Sequence, residues 1–292
     1  MDTESGYEIT VPYAPNRKFS VLLSEDHNRK PAKSAHLERS INTIWHQSLS
    51  ENRSLFNASK FRLHHVSTCA DNVTLHLGLT DYKTYLATHA APTPLERFGA
   101  ECMALPLGNV VIPITRDEHT FVLVRSGNAA EGKFKCVFPG GHAEPDEISN
   151  VGTANCAQVR RELADSAKRE LMEELFVEEE MVERVEDMCF LGIVRRRSDW
   201  KSSMIFSARL FCDTAFVEQR YRERNRQEEE SVRLFKVRLD ELVSEGIYAV
   251  VPKGYEPMPE LVGAADLYVQ KCALSLKCQD KASDVWFDPS GL

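Results

Sequence analysis

Residues 163–177 read LADSAKRELMEELFV. Leu163, Ala167, Leu171 and Leu175 recur at helical spacing, so one face of this helix is committed to a core. At roughly 100° per residue, with Leu171 at zero, Ala167 falls near about −40°, Leu163 near about −80° and Leu175 near about +40°. Glu174 lands near about −60°, inside that apolar arc; Glu170 sits near about −100° at its edge, and Glu173 lies further round. Acids at this spacing repel one another, and a carboxylate in a core position is costly unless it is paired or bound to a metal. Any fold for this chain must therefore bring cations or an ion to this helix face. Two carboxylates one turn apart offer the hard oxygen donors that Mg2+ or Mn2+ accepts. Arg169 reaches Glu173 at i, i+4. The competing reading, a solvated acidic face, does not account for the angular position of Glu174.

The wider composition narrows the field. With 292 residues the chain is long enough for one large or two compact domains, and 42% hydrophobic residues supply a proper core. A net charge of −8 argues against a nucleic-acid-coating role, where a basic footprint is expected. It also requires that an anionic substrate be held by local arginines or by a metal. Eight cysteines are scattered with no CxxC pair, which points to reduced thiols in an intracellular, cytoplasmic protein. The first thirty residues are polar, and no apolar run approaches the roughly 20 residues of a membrane span, so neither a leader nor a membrane partner is expected.

Along the chain, "RKFSVLL" reads as a strand and "SAHLERSINTIWHQSLS" as a helix capped by Ser34, with Leu37, Ile41, Ile44, Trp45 and Leu49 on one face. "KFRLHHVS" and "VTLHLGL" alternate as paired strands, "DYKTYLAT" is a short helix, and "HAAPTPLERFGA" has linker composition. The texture changes near residue 104. "NVVIPIT" and "FVLVRS" read as a hairpin about "RDEH"; a helical pattern covers about 157–185; "FLGIVRR", "SSMIFSARLFC" and "VRLFKV" are strands; and "ELVGAADLYVQKCALSL" is a final amphipathic helix. The order predicts an α+β fold, strands wrapped around two helices in an α/β/α sandwich.

"FPGGHAEPDE" supplies the second half of the site. Gly140 and Gly141 permit a sharp turn with exposed backbone groups, so the Gly140 carbonyl is a further metal-ligand candidate beside the helix acids. Together the turn and the helix resemble the Nudix hydrolase signature, G-x5-E-x7-R-E-U-x-E-E-x-G-U, where U is bulky and aliphatic. Gly141 and Glu147 match its first half; Arg169, Glu170, Leu171, Glu173, Glu174 and Val177 match its second. Twenty-one residues stand where the signature has seven, and Phe176 replaces its last glycine. An insertion between a loop and a helix costs little free energy. Phe176 removes the usual glycine stop, so the helix is expected to run on into "VEEEMVERVE". A strict motif scan is expected to miss such a chain.

"SLFNASKFRLHHV", "LHLGLTDYKTYLATH", "PLGNVVI" and "VFPGGHAEP" further resemble the Nudix branch that hydrolyses UDP-glucose and UDP-galactose, over about residues 20–270. The resemblance implies a smaller N-terminal α+β domain (1–100) contributing to substrate recognition. It implies a Nudix domain (101–285) built as an α/β/α sandwich with a mixed sheet, with an insertion at about 148–161. It also implies hydrolysis of a nucleotide sugar to UMP and sugar 1-phosphate with Mg2+ or Mn2+ on Glu170 and Glu174, Glu173 as a further ligand or base, and Arg169 as its orienter. A later glutamate often serves as base in this family, and among Glu228–Glu230 the choice falls on Glu230, next to a strand. Arg125 and Ser126, at a strand end, and Arg195 are substrate-binding candidates, with Arg125 suited to fork onto phosphate; Arg196 and Arg197 read as surface charge. Phe56, Phe61 and Tyr82 are candidates for stacking on uracil, and Lys60 and Arg62 make the face opposite Phe61 basic. Two alternatives stand beside this reading: Nudix chemistry on another substrate such as ADP-ribose or coenzyme A, or a non-catalytic nucleotide sensor.

Overall fold

The computed structural model describes residues 6–283 apart from 54, 70, 90–93, 128, 130, 149–150, 152–154 and 225–230. Its elements, in chain order, begin with β1 (Tyr7–Val11), β2 (Lys18–Leu23), α1 (Ala35–Glu51), β3 (Ser59–Cys69), β4 (Asn72–Asp81), α2 (Tyr82–His89) and α3 (Pro94–Phe98). There follow β5 (Leu107–Ile114), β6 (His119–Arg125), β7 (Cys136–Val137), α4 (Cys156–Leu175), β8 (Cys189–Arg196) and β9 (Ser202–Arg209). The last are α5 (Thr214–Arg224), β10 (Ser231–Arg238), α6 (Leu239–Glu245), α7 (Ile247–Val250) and α8 (Pro259–Ser283).

Alternation along the first half of β4 sets the centre of the first sheet. Val73, Leu75 and Leu77 of β4 point one way and are fully buried, and β4 lies between parallel β2 and antiparallel β3. A mixed sheet in the order β1-β8-β9-β5 carries the only parallel pair among its described strands, β5 with β9. A third, antiparallel sheet runs β10-β6-β7. Thus β1, although it opens the described chain, belongs to the sheet of β8 and β9.

Two helices divide the core. Leu163, Ala167, Leu171 and Leu175 of α4 cluster with Leu107 and Val111 of β5, Phe121 and Leu123 of β6, and Phe19 and Val21 of β2. On the opposite faces of the same strands, Val110, Ile112, Val122 and Val124 meet Leu261, Ala264, Ala265 and Leu267 of α8. Strand alternation therefore sends β5 and β6 residues to both helices, the α+β arrangement with a mixed sheet between helical layers. Truncating Leu171 or Leu175 to alanine would cost about 2–5 kcal/mol by opening a cavity here. No helix among the described residues is long and apolar enough to cross a membrane, and the seven described cysteines are free thiols.

Two local expectations are corrected. β5 and β6 are joined by a tight turn but do not pair: β5 hydrogen-bonds β9, and β6 lies between β10 and β7. All eight residues of β5 are buried, so its two faces serve two cores, and its other edge is occupied by the loop after β7. The helix does not run on to 185 but ends at Leu175. Phe176 itself adopts the left-handed conformation, φ 55°, at the position where a glycine would stand. Phe176 N–H donates to Glu173 O and Val177 N–H to Met172 O, which closes the helix in a Schellman turn. Left-handed backbone costs about 1–2 kcal/mol for a residue with a Cβ; burial of the Phe176 ring against Tyr221, 5.9 Å between centroids, offsets it. At its other end α4 starts at Cys156, behind a reciprocal Asn155–Gln158 capping box, so residues 156–161 of the expected insertion are helix.

Candidate functional site

The loop Pro139–His142 lies along the edge of β5 as a short extra strand would. Val111 N–H donates to Pro139 O (2.8 Å), Asn109 N–H to Gly141 O (2.9 Å), and Gly141 N–H to the Asn109 side chain (3.1 Å). Asn109 Nδ2 also reaches Ser166 Oγ on α4 at 2.9 Å, so one buried amide ties strand, loop and helix together. A Cβ at Gly140 would overlap the Asn109 backbone and stand 3.0 Å from Val110 Cα. Only glycine allows this approach.

Pressed this close, the loop meets the acids of α4. Gly140 N–H donates to Glu174 Oε2 (3.1 Å) and His142 N–H to Glu170 Oε1 (3.3 Å). Both carboxylates are half-buried, as the helical wheel requires, whereas Glu173 is exposed. They line a cleft of about 650 Å³ together with Gly140, Gly141, Lys60, Tyr82, Arg125 and Ser126. Seven residues singled out in the sequence for metal or substrate, Lys60, Tyr82, Arg125, Ser126, Gly140, Glu170 and Glu174, are thus gathered in one place.

Six others lie elsewhere. Glu173 is outside the cleft. Arg169 does not steady it; Arg169 instead grips Glu162 two turns earlier, at 2.7 and 3.3 Å. Glu162 is buried at 7% exposure and needs the cation more than solvated Glu173 does. It also accepts from Glu144 N–H, tying the acidic loop to α4. Arg62 is buried at 2% exposure and donates to the carbonyls of His27, Ala100 and Met103, so it pins backbone where a substrate contact was expected. Phe56 is exposed and away from the cleft. Arg195 pairs with Glu8 and lies 4.7 Å over Trp200, beside a separate hollow. Phe61, the third stacking candidate, is wholly buried in the core. Glu230 lies outside the described residues, although its neighbour Ser231 lines the cleft.

Sequence reading missed the far wall. Lys201 Nζ stands 2.7 Å from Glu131 Oε1, and Arg196 Nη2 is 3.0 Å from Glu131 Oε2. Arg196 is buried, not surface charge, and also binds Asp199 and Glu260. Burial alone would raise the Glu131 carboxyl, but the charges of Lys201 and Arg196 outweigh it and hold it far below the usual carboxylate range. Burial of Tyr85, on the same wall, pushes its phenol up to about 12. His142 is driven well below an ordinary histidine by burial and then by Lys201 and Lys60, so its ring is neutral at pH 7. These partners are 65 to 70 residues apart along the chain, and no short motif announces them.

Among the described residues, no group of three or more His, Cys, Asp or Glu side chains forms a ready-made metal site. Glu170 and Glu174 offer two hard oxygen donors one helical turn apart. Mg2+ is commonly held by one or two carboxylates plus water and substrate phosphates rather than by an all-protein cage. The donor set fits an ion of that type.

No family model matches the chain. It is 32% identical over 256 residues to Nudix hydrolase 9 of Arabidopsis thaliana, covering 77% of this chain and 79% of that protein. It is 29% identical over 195 residues to the mouse uridine diphosphate glucose pyrophosphatase NUDT22, covering 60% of this chain and 63% of the mouse protein. The human counterpart is 31% identical over 153 residues, 48% of this chain and 50% of the relative. Among solved structures, a MutT protein from Methanosarcina mazei Go1 is similar at 15% identity and a TM-score of 0.35, covering 58% of this chain and 94% of that one.

Proposed function

The chain belongs to the Nudix hydrolase family, and on that premise we propose that it hydrolyses the diphosphate of UDP-sugars, UDP-glucose and UDP-galactose, to UMP and sugar 1-phosphate. The observation that carries this reading is the meeting of Glu170 and Glu174 with the Gly140–Gly141 turn, in a cleft that also holds Arg125, Lys60 and Tyr82. The mammalian relatives, named as UDP-glucose pyrophosphatases, support the substrate.

A diphosphate brings negative charge into a protein that is itself at −8. Glu170 and Glu174, with the Gly140 carbonyl, would hold Mg2+ or Mn2+. When bound, such an ion neutralises phosphoryl oxygens and lowers the pKa of a coordinated water. The protein's own groups do the rest. Arg125 is anchored through Nε to Glu131 O at 3.0 Å and directs its fork at phosphate. Lys60 lies at the other side, paired at 2.6 Å with Glu144 and free to exchange that carboxylate for a phosphate oxygen. Tyr82 offers a ring face to uracil, backed by Trp45 at 6.3 Å in an edge contact. Water adds to phosphorus as the P–O bond to the leaving phosphate breaks; Glu230, next to Ser231 at the cleft, is the residue assigned to take the water's proton.

The test is phosphate release in a phosphatase-coupled assay with Mg2+, across UDP-glucose, UDP-galactose, ADP-ribose and coenzyme A. UDP-sugars should lead, and Glu174→Gln should lower turnover by at least about 100-fold while UDP binding persists. ADP-ribose outperforming UDP-glucose would overturn the substrate. Absence of turnover on every member, with UDP still bound, would favour a nucleotide sensor.

A further inference from the structure

β6 ends at Arg125, and the chain returns at Lys135, where Arg125 N–H donates to Lys135 O (3.0 Å) and Phe134 N–H to Arg125 O (3.2 Å). Between them Glu131 faces the cleft wall. Its carboxylate is gripped by Lys201 Nζ and by Arg196 Nη2, and it hydrogen-bonds Tyr85. These cations are themselves fixed from several directions. Arg196 binds Asp199 and Glu260, and Asp199 accepts from His89 of α2 at 2.9 Å, if His89 carries its proton on Nδ1. One carboxylate thus joins the loop after β6 to α2, to the β8–β9 corner and to the start of α8.

The same residue presents its backbone carbonyl to Arg125 Nε at 3.0 Å. An arginine held through Nε has its two Nη groups left to form a planar fork in a fixed plane, the geometry that grips phosphate oxygens in pairs. Gly132, at φ 63° and packed on Met258, turns the chain immediately after this carbonyl. The fork therefore points where Glu131 sets it.

We infer that Glu131 is a positioning residue: the buried Glu131–Lys201–Arg196 cluster fixes the carbonyl that aims Arg125 at the substrate's diphosphate. This rests on the UDP-sugar reading above. Charge-assisted hydrogen bonds suit this task because their geometry is directional, whereas apolar contact is not.

The experiment is a double-mutant cycle of Glu131→Gln and Arg125→Ala, read as kcat and KM for UDP-glucose with Mg2+. Alone, Glu131→Gln should raise KM by about 10-fold and leave kcat within about 3-fold, since the acids of α4 are untouched. In the Arg125→Ala background it should change KM by less than about 2-fold, because the residue it aims is gone. If Glu131→Gln fails to fold, Glu131→Asp keeps the charge but draws the carbonyl toward the cluster, and the same rise and the same cancellation are expected. An equal KM increase with and without Arg125, or an unchanged KM in the single variant, would overturn the inference while wild-type turnover of UDP-glucose leaves the functional reading standing. A wild-type protein that neither binds UDP nor hydrolyses UDP-sugars would instead overturn that reading, and this inference with it.

Discussion

Adding one methyl group at Gly141 separates the site from the fold. A Cβ there would overlap Glu170 Oε1 and lie 2.6 Å from Oε2, yet Gly141 has no positive φ, so the backbone itself accepts alanine. What must move is the tip of a flexible side chain. Glu170 loses the His142 N–H bond of 3.3 Å, about 0.5–1.5 kcal/mol, and an off-rotamer side chain costs about as much again. The entropy removed from the unfolded chain returns about 0.4–1 kcal/mol. Gly141→Ala should therefore lose no more than about 2.6 kcal/mol of stability but at least about 100-fold in kcat/KM, because a carboxylate displaced by about 1 Å no longer serves the diphosphate. Gly140→Ala is the contrast. Its Cβ meets the Asn109 and Val110 backbone, which cannot rotate away, so the loop must leave β5 and give up the Asn109 and Val111 N–H bonds. Each such buried bond is worth about 1–3 kcal/mol when its partner is left unsatisfied. Urea unfolding followed by circular dichroism measures the stabilities, and the coupled phosphate assay the rates. Activity of Gly141→Ala within about 3-fold of wild type would show that Glu170 is dispensable, and stability losses in the reverse order would show that the loop is not held by its approach to β5.

Arg169→Ala should keep turnover within about 10-fold, since Arg169 binds Glu162 away from the cleft; Glu162→Ala should cost about 1–3 kcal/mol in urea unfolding by stripping Glu144 N–H and Arg169 of their acceptor. Tyr82→Ala should raise KM for UDP-glucose by about 5–10-fold with a smaller change in kcat, and initial-rate kinetics would detect it. His89 is held below an ordinary histidine by burial, which prevails over the pull of Asp199. Its contribution to stability is therefore fully present above about pH 6.5 and lost as pH falls toward its folded value, with a slope of at most about 1.4 kcal/mol per pH unit. His89→Gln should flatten that slope in denaturation measured between pH 7.5 and 5.5.

Period-2 alternation made β3 and β4 readable, and the wheel position of Glu174 anticipated its half-buried setting beside a loop. β5 was harder, because a strand buried on both faces does not show which neighbour it pairs with. Phe176 misled for a local reason: its left-handed backbone depends on a ring packed against Tyr221, 45 positions along, which no helix-stop rule includes. Arg169 went to Glu162 because burial, not sequence spacing, decides which acid most needs a cation. The Glu131–Lys201–Arg196 wall was illegible for the same reason. Arg196, within "RRRSDWK", reads as surface charge until Glu131, on a distant loop, folds against it.

Anomalous diffraction from crystals grown with Mn2+ and UDP would locate the ion against the acids of α4. A manganese peak is expected within coordination distance of both Glu170 and Glu174, and its loss is expected in Glu174→Gln. Manganese bound elsewhere, with UDP seated in the cleft and those two carboxylates still accepting from Gly140 and His142 N–H, would overturn the assignment of the ion to α4.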